Sequence, residues 1–169
     1  MNPRLERIVI ERKTKISGLF RKIGLDSCVI VDMIEYMEML SYVSKLFQEP
    51  DLLYTHEICV RETISILCTK KNYSKEQSEK LVNDFLTNNN IKIIKSDKNN
   101  PLYRTINIHK PDCFIIADWK KNNINIAYSQ NNHFIDACRS IGISAIKIPT
   151  FDSVMERRLK DLFKLNKKR

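Results

Sequence analysis

Three acids and one amide stand out among the 169 residues for metal-assisted chemistry: Asp26, Glu62, Asp112 and Asn131. Asp26 ends a short apolar run, Glu62 lies about one turn into an apolar helical stretch, and Asp112 opens another such stretch directly behind Pro111. Asn131 follows a further apolar run by a few residues. Carboxylates brought together raise one another's pKa unless something positive neutralises them. A divalent hard cation such as Mg²⁺ or Mn²⁺ does so, prefers oxygen ligands and shares its coordination sphere with waters and substrate phosphates. Such a site activates a water and stabilises charge on phosphate, which is the chemistry of phosphodiester hydrolysis.

Each acid also has a plainer role open to it. An Asp at a strand end is commonly a helix N-cap, which applies to Asp26 and Asp112. Glu62 sits among Ile58, Cys59, Ile64, Ile66 and Leu67, where an inward carboxylate needs a partner. Asp32, Glu35, Asp118 and Asp136 read as surface helix charges, with Asp118 and Asp136 near enough in sequence to support the site.

The elements that must position these groups follow from hydrophobic periodicity. Strands are expected at Lys22–Leu25, Leu52–Thr55, Ile91–Lys95, Ile124–Tyr128 and Ala145–Ile148. Helices are expected at Val29–Leu46, Ile58–Thr69, Ser74–Leu86 with Ser74 as N-cap, Pro111–Lys120 and Asn131–Ile141. Alternating strands and helices predict an α/β domain, a mainly parallel sheet with helices on both faces. Ligands then gather beyond the carboxyl ends of the strands, where strand order reverses. If the first and fourth strands are neighbours, the four positions converge there. The asparagine-rich stretches 88–90, 99–100 and 122–123 read as turns or helix ends.

Charge is unevenly placed along the chain. The net charge is +9, yet residues 23–149 carry fifteen residues of each sign. Residues 1–22 hold seven Lys/Arg against two Glu, and residues 150–169 hold seven against three acids. Both ends carry helical apolar stripes, Leu5, Ile8, Val9, Ile16, Leu19 and Phe20 in the first and Phe151, Val154, Met155, Leu159, Leu162 and Phe163 in the second. We therefore divide the chain into a basic amphipathic helix at 1–22, a central domain at 23–149, and a basic helix and tail at 150–169. Arg12, Lys13, Arg157, Arg158 and Lys160 are the candidate contacts to a nucleic-acid backbone. Either stripe could instead meet a partner protein or a second copy of this chain.

Composition narrows the alternatives. Three glycines, Gly18, Gly24 and Gly142, cannot build a Gly-rich phosphate cradle. The five cysteines form no CxxC pair and sit mostly in apolar runs, the pattern of reduced thiols in a cytoplasmic protein, and zinc-ligand spacing with His56, His109 and His133 is missing. Apolar runs are too short to span a bilayer, so no membrane partner is expected.

Four segments carry a family resemblance. Leu25-Asp26-Ser27-Cys28-Val29-Ile30-Val31-Asp32 resembles the opening motif of PIN domains, a strand-end Asp, a small hydroxyl residue and an apolar helix start. Thr55-His56-Glu57-Ile58-Cys59-Val60-Arg61-Glu62 is similar to the second motif, and Pro111-Asp112-Cys113-Phe114-Ile115-Ile116-Ala117 to the third. Ser129-Gln130-Asn131-Asn132-His133-Phe134 resembles the fourth, with Asn131 where that motif has an Asp.

The resemblance spans about residues 22 to 149. It implies a three-layer α/β/α fold with a five-stranded sheet of order 3-2-1-4-5, to which this chain adds terminal helices. It also implies a Mg²⁺ or Mn²⁺ nuclease site, an RNA substrate, and frequent homodimerisation, as in VapC-type toxins of toxin-antitoxin pairs. By position, Asp26, Glu62 and Asp112 carry over as catalytic metal ligands and Asn131 as the altered fourth ligand. Ser27 and Ser129 carry over as supporting hydroxyls, and Asp118 is the acid expected to support them. The leading expectation is a metal-dependent endoribonuclease. The alternative is a PIN-like RNA-binding or assembly module in which Asn131 has weakened catalysis.

Overall fold

The computed structural model describes residues 21–166, with side chains to residue 160. The N-terminal basic helix expected at 1–22, with Arg12 and Lys13, therefore lies almost wholly outside the described residues.

The chain runs β1 (Lys22–Leu25), α1 (Ser27–Glu35), α2 (Met37–Ser44), β2 (Leu52–His56), α3 (Glu57–Lys70), α4 (Lys75–Asn88) and β3 (Lys92–Ile94). A 3₁₀ turn at Pro101–Arg104 precedes α5 (Asp112–Lys121), β4 (Ile126–Ser129), α6 (Asn132–Ser140), β5 (Ser144–Lys147) and α7 (Phe151–Asn166). All strand pairs are parallel, in the order β3-β2-β1-β4-β5. The three-layer α/β/α architecture and the 3-2-1-4-5 order are thus as expected.

Strand periodicity assigns the two faces of the sheet. Ile23, Leu25 and Tyr128 point into a cluster with Val29, Ile30, Met39, Leu67 and Val82. The intervening Ala127 points the other way, toward Trp119, Ile115, Phe134 and Cys138. Successive side chains on a strand face opposite sides, so each short strand serves both cores. Gly24, Ala127 and Ala145 lie in register across β1, β4 and β5, a row of small residues on the Trp119 side.

Trp119 needs that row. A Cβ on Gly24 would meet its ring atoms at 2.8–2.9 Å. The ring is wholly buried, stands edge-on to Phe134 at 5.5 Å, and its Nε1 has no hydrogen-bond partner. Shape alone holds it. Gly24→Ala is therefore expected to overpack the core and cost about 1–3 kcal/mol, read in a thermal melt as a fall of several degrees. An unchanged melting temperature would show that the ring can move aside.

Two helix expectations need correction. The stretch read as one helix, Val29–Leu46, is two, because Tyr36 adopts an extended conformation between α1 and α2. Its ring stacks on Phe151 of α7 at 3.8 Å and its hydroxyl accepts a hydrogen bond from Lys71 Nζ at 2.8 Å. Packing outside the helix, absent from local periodicity, sets the break. Asn131 does not belong to its helix but caps it. β1 has the expected bounds, and the ends of the other strands shift by one or two residues, most at β4, which begins at Ile126 rather than Ile124.

Other punctuation is as read. Ser74 forms a reciprocal capping box with Gln77, and Asn90 and Asn123 take positive φ just past helix ends. At the C-terminal side, Asp32 Oδ2 accepts from Gln130 Nε2 at 2.7 Å and from the Phe151 backbone N–H at 3.3 Å. Asp32 is therefore a joint between α1, the β4–α6 turn and α7, more than the surface charge it resembles in sequence.

Candidate active site

The chain leaves β1 in one direction, toward β2 and β3, and later fills the sheet in the other, with β4 and β5. The reversal falls between β1 and β4. Asp26 is the residue after β1 and Ser129 the last of β4, so both stand at the carboxyl ends of the two strands flanking the crevice.

Asp26 is buried and caps α1, its Oδ1 accepting from the Ser27 backbone N–H at 2.7 Å. Ser129 Oγ donates to its Oδ2 at 2.5 Å and in turn accepts from the Asn131 N–H at 3.0 Å. Glu62 arrives from α3, where Ser27 Oγ donates to its Oε2 at 2.9 Å. Ser27 also lies 3.4 Å from Asp26 Oδ1, so one hydroxyl spans both carboxylates. Ser27 and Ser129 are thus the two hydroxyls hydrogen-bonded to these carboxylates.

Asp112, at the first position of α5, feels both acids. Burial, then the charges of Asp26 and Glu62, push its carboxyl up to about 6, with His109 opposing. Burial also raises Glu62, with Asp26 adding to it and the Ser27 hydrogen bond and Arg61 opposing. Among the described residues no Lys or Arg forms an ion pair with Asp26, Glu62 or Asp112. The site holds more negative charge than the side chains around it compensate.

The tightest grouping contains a residue that sequence reading passed over. Ligand atoms of Asp26, Glu62 and Cys59 lie within 4.8 Å of one another, the only such group found among the described residues. Cys59 precedes Glu62 by three residues on α3, and that spacing puts both on one helix face. Its wholly buried thiol is held well above its ordinary pKa by burial and then by Asp26 and Glu62. Cys28 also touches the site, its Sγ 3.3 Å from Asp26 Oδ2.

Asn131 borders the acids differently from expectation. It is exposed, and its Oδ1 accepts from the N–H groups of His133 at 3.0 Å and Phe134 at 3.5 Å, which commits that oxygen to capping α6. It shares with Asp112 a polar cleft of about 570 Å³, also lined by His109 and His133.

Asp118 does not join the site. It lies six residues after Asp112, about 240° around the helix axis, and is buried. Its oxygens accept from His56 Nε2 at 3.2 Å, the Asp97 N–H at 3.0 Å and Asn100 Nδ2 at 2.9 Å. His56 Nδ1 accepts from the Ile58 N–H, so the proton rests on Nε2. Burial lowers the His56 pKa against the opposing pull of Asp118. Asp118 therefore binds the β3–α5 loop to the start of α3. Asp118→Ala would strand three buried or half-buried donors and is expected to cost about 3 kcal/mol, measured as a lower urea midpoint with unchanged slope. A loss below about 1 kcal/mol would mean that water replaces the carboxylate.

The basic candidates on α7, Arg157, Arg158 and Lys160, are exposed. Arg157 lines another cleft with Lys147 and Gln130, the residue between Ser129 and Asn131.

No known protein-family profile matches the chain, and no curated protein matches it. Solved structures do. It is similar to VapBC2 from Rickettsia felis, solved bound to a DNA fragment from its promoter, at 16% identity and a TM-score of 0.55, covering 75% of this chain and 98% of that one. It is also similar to FitAcB from Neisseria gonorrhoeae at 15% identity and a TM-score of 0.53, covering 74% and 96%. The fold is a VapC-like PIN fold. No helix among the described residues is long and apolar enough to cross a membrane.

Proposed function

We propose that the chain is a metal-dependent endoribonuclease that hydrolyses RNA phosphodiester bonds. One observation supports this reading: Asp26 and Glu62 gather at the switch point of a PIN fold, Asp112 lies near enough for their charges to raise its pKa, and among the described residues no Lys or Arg pairs with any of the three. That donor set fits a hard divalent cation, and Asp26, Glu62 and Asp112 would hold Mg²⁺ or Mn²⁺. When bound, the cation supplies an acidified water and neutralises charge on the phosphate.

The chain's own residues do the remaining work. Ser27 and Ser129 fix the carboxylates in place through the hydrogen bonds that reach Asp26 and Glu62. Burial and the neighbouring acids push the metal-free Asp112 carboxyl up to about 6, so it would give up its proton and hold a cation in its ionised form. Arg157, Arg158 and Lys160, with Arg12 and Lys13 of the N-terminal segment, supply positive charge for the RNA backbone.

The test is direct. Purified protein with Mn²⁺ is expected to cut single-stranded or structured RNA, and EDTA to stop it. A panel of RNAs left intact in Mn²⁺ would end the enzymatic reading.

Asn131 favours a second reading, a PIN-like RNA-binding or assembly module. Its amide oxygen is spent on the α6 cap, and it adds no negative charge to the cluster. Asp and Asn are equally good N-caps, so the fold does not require the amide. Metal-independent, salt-sensitive RNA binding without cleavage would select this reading. On either one, the complexes formed by VapBC2 and FitAcB favour an antitoxin-like protein partner, with a second copy of the chain as the other candidate.

A further inference from the structure

We propose that the apolar cleft beside Glu62 seats one unpaired nucleobase, on one side only of the RNA phosphate held at the acids. The inference rests on the ribonuclease reading and adds to it a subsite with its own ligand chemistry. The cleft has a volume of about 500 Å³, in the range of pockets that enclose small organic molecules. Ile58, Pro111 and Phe114 supply apolar walls, and Arg61 and Lys98 stand at the rim.

Position ties the cleft to the site. Glu62 belongs both to its wall and to the acidic group, and Pro111 is the residue before Asp112. A nucleotide adjoining a phosphate at the acids falls within reach of it. Phe114 is half-buried, set against Tyr103 with ring centroids 5.1 Å apart, and Lys110 Nζ lies 5.9 Å from its centroid. Its ring is therefore held before any ligand arrives. An aromatic face accepts any base by stacking.

Charge separates a nucleotide from a purely apolar occupant. Arg61 and Lys98 are exposed, and Arg61 has only a 3.9 Å contact with Glu57. Among the described residues Lys98 forms no ion pair. Two cations bordering an apolar pocket match a base with its anionic backbone. The other cleft that Asp112 lines, with His109, Asn131 and His133, offers imidazole rings but no phenyl face and no Lys or Arg. The two flanks of the scissile phosphate are therefore unequal.

The experiment scans an abasic nucleotide along a fluorescein-labelled single-stranded RNA that the wild-type protein cuts. Binding is measured with the 169-residue Asp26→Asn chain, so that cleavage does not intervene. Loss of one base, on one side of the cleavage position, is expected to weaken binding about tenfold, while losses on the other side do little. Ser65→Trp fills the cleft from an exposed position and is expected to flatten the scan and weaken the intact RNA to the abasic level. Phe114→Leu keeps an apolar wall without a π-face and is expected to flatten it too, should the tryptophan variant misfold.

A flat scan with the unaltered cleft, in protein that still binds RNA, overturns the subsite and leaves the ribonuclease reading standing. A one-sided scan unaffected by both cleft variants places the base elsewhere and also overturns it. Protein that binds and cuts no RNA overturns both.

Discussion

Replacing Asp26 with Asn is expected to lower RNA cleavage by more than about 100-fold while leaving the fold intact, a loss on the scale of removing a metal ligand's interactions. The separation of the two effects follows from geometry. Asp26 is both a member of the acidic group and the N-cap of α1. Asn caps a helix as well as Asp does, so the bond from the Ser27 N–H survives. The Ser129 hydroxyl can rotate toward an amide as it does toward a carboxylate. What disappears is the charge. Asp26→Ala, by contrast, would also lose the cap, at about 1 kcal/mol, and would confuse catalysis with stability. Circular dichroism melts of the two variants beside their cleavage rates make the check. Cleavage by Asp26→Asn at wild-type rate would remove Asp26 from the chemistry.

The second large effect is in pH. Cation binding must displace whatever proton Asp112 holds. With its carboxyl pushed up to about 6, mostly by burial and then by Asp26 and Glu62, Asp112 is mainly ionised at pH 7 and mainly protonated at pH 5. Mn²⁺ affinity is therefore expected to fall about tenfold between those values, one displaced proton's worth. Titration calorimetry at the two pH values reads it. Asp112→Asn should bind more weakly at pH 7 and show a shallower dependence, which Glu62 alone then carries. A pH-independent affinity would show that Asp112 does not face the ion.

The same shift has a sign for stability. Because the folded pKa is raised, folding gains most from Asp112 below its unfolded pKa, near 4. That gain is lost as pH rises through about 6. Without a divalent ion, Asp112→Asn is thus expected to be the more stable protein at pH 7, by about 1–2 kcal/mol after solvent discounting, and to lose that advantage in acid. Saturating Mn²⁺ should reverse the order, since binding stabilises the protein with the stronger site.

The fold was legible because its signals are local. Short β-branched runs alternating with longer amphipathic ones prescribe a parallel α/β sheet. The four motif segments, in order, then carry the strand sequence. What escaped depends on contacts between distant residues. Tyr36 breaks a continuous helical pattern because its ring pairs with Phe151. Asp118 looks like a solvated helix charge until His56, from another element, is placed against it.

The site was legible in its acids and less so in its neighbours. Asp26 and Glu62 come together from the end of β1 and the second turn of α3, and Asp112, at the start of α5, feels both charges. Cys59 was recoverable from its i, i+3 relation to Glu62 but reads as an ordinary core thiol. Asn131 carried an N-cap signal, a short polar residue ahead of a helix, that reading it inside the helix concealed.

Asp32 governs how the C-terminal helix can be studied. One of its oxygens receives both Gln130, beside the site, and the first backbone N–H of α7, whose Phe151 lies flat on Tyr36. Cutting the chain at residue 150 would remove basic charge, uncover an aromatic face and slacken the turn that carries Ser129 and Asn131, all at once. A weakened truncation would report carpentry as much as electrostatics. Reversing the exposed charges of Arg157 and Arg158 in place leaves that joinery standing and asks the electrostatic question alone.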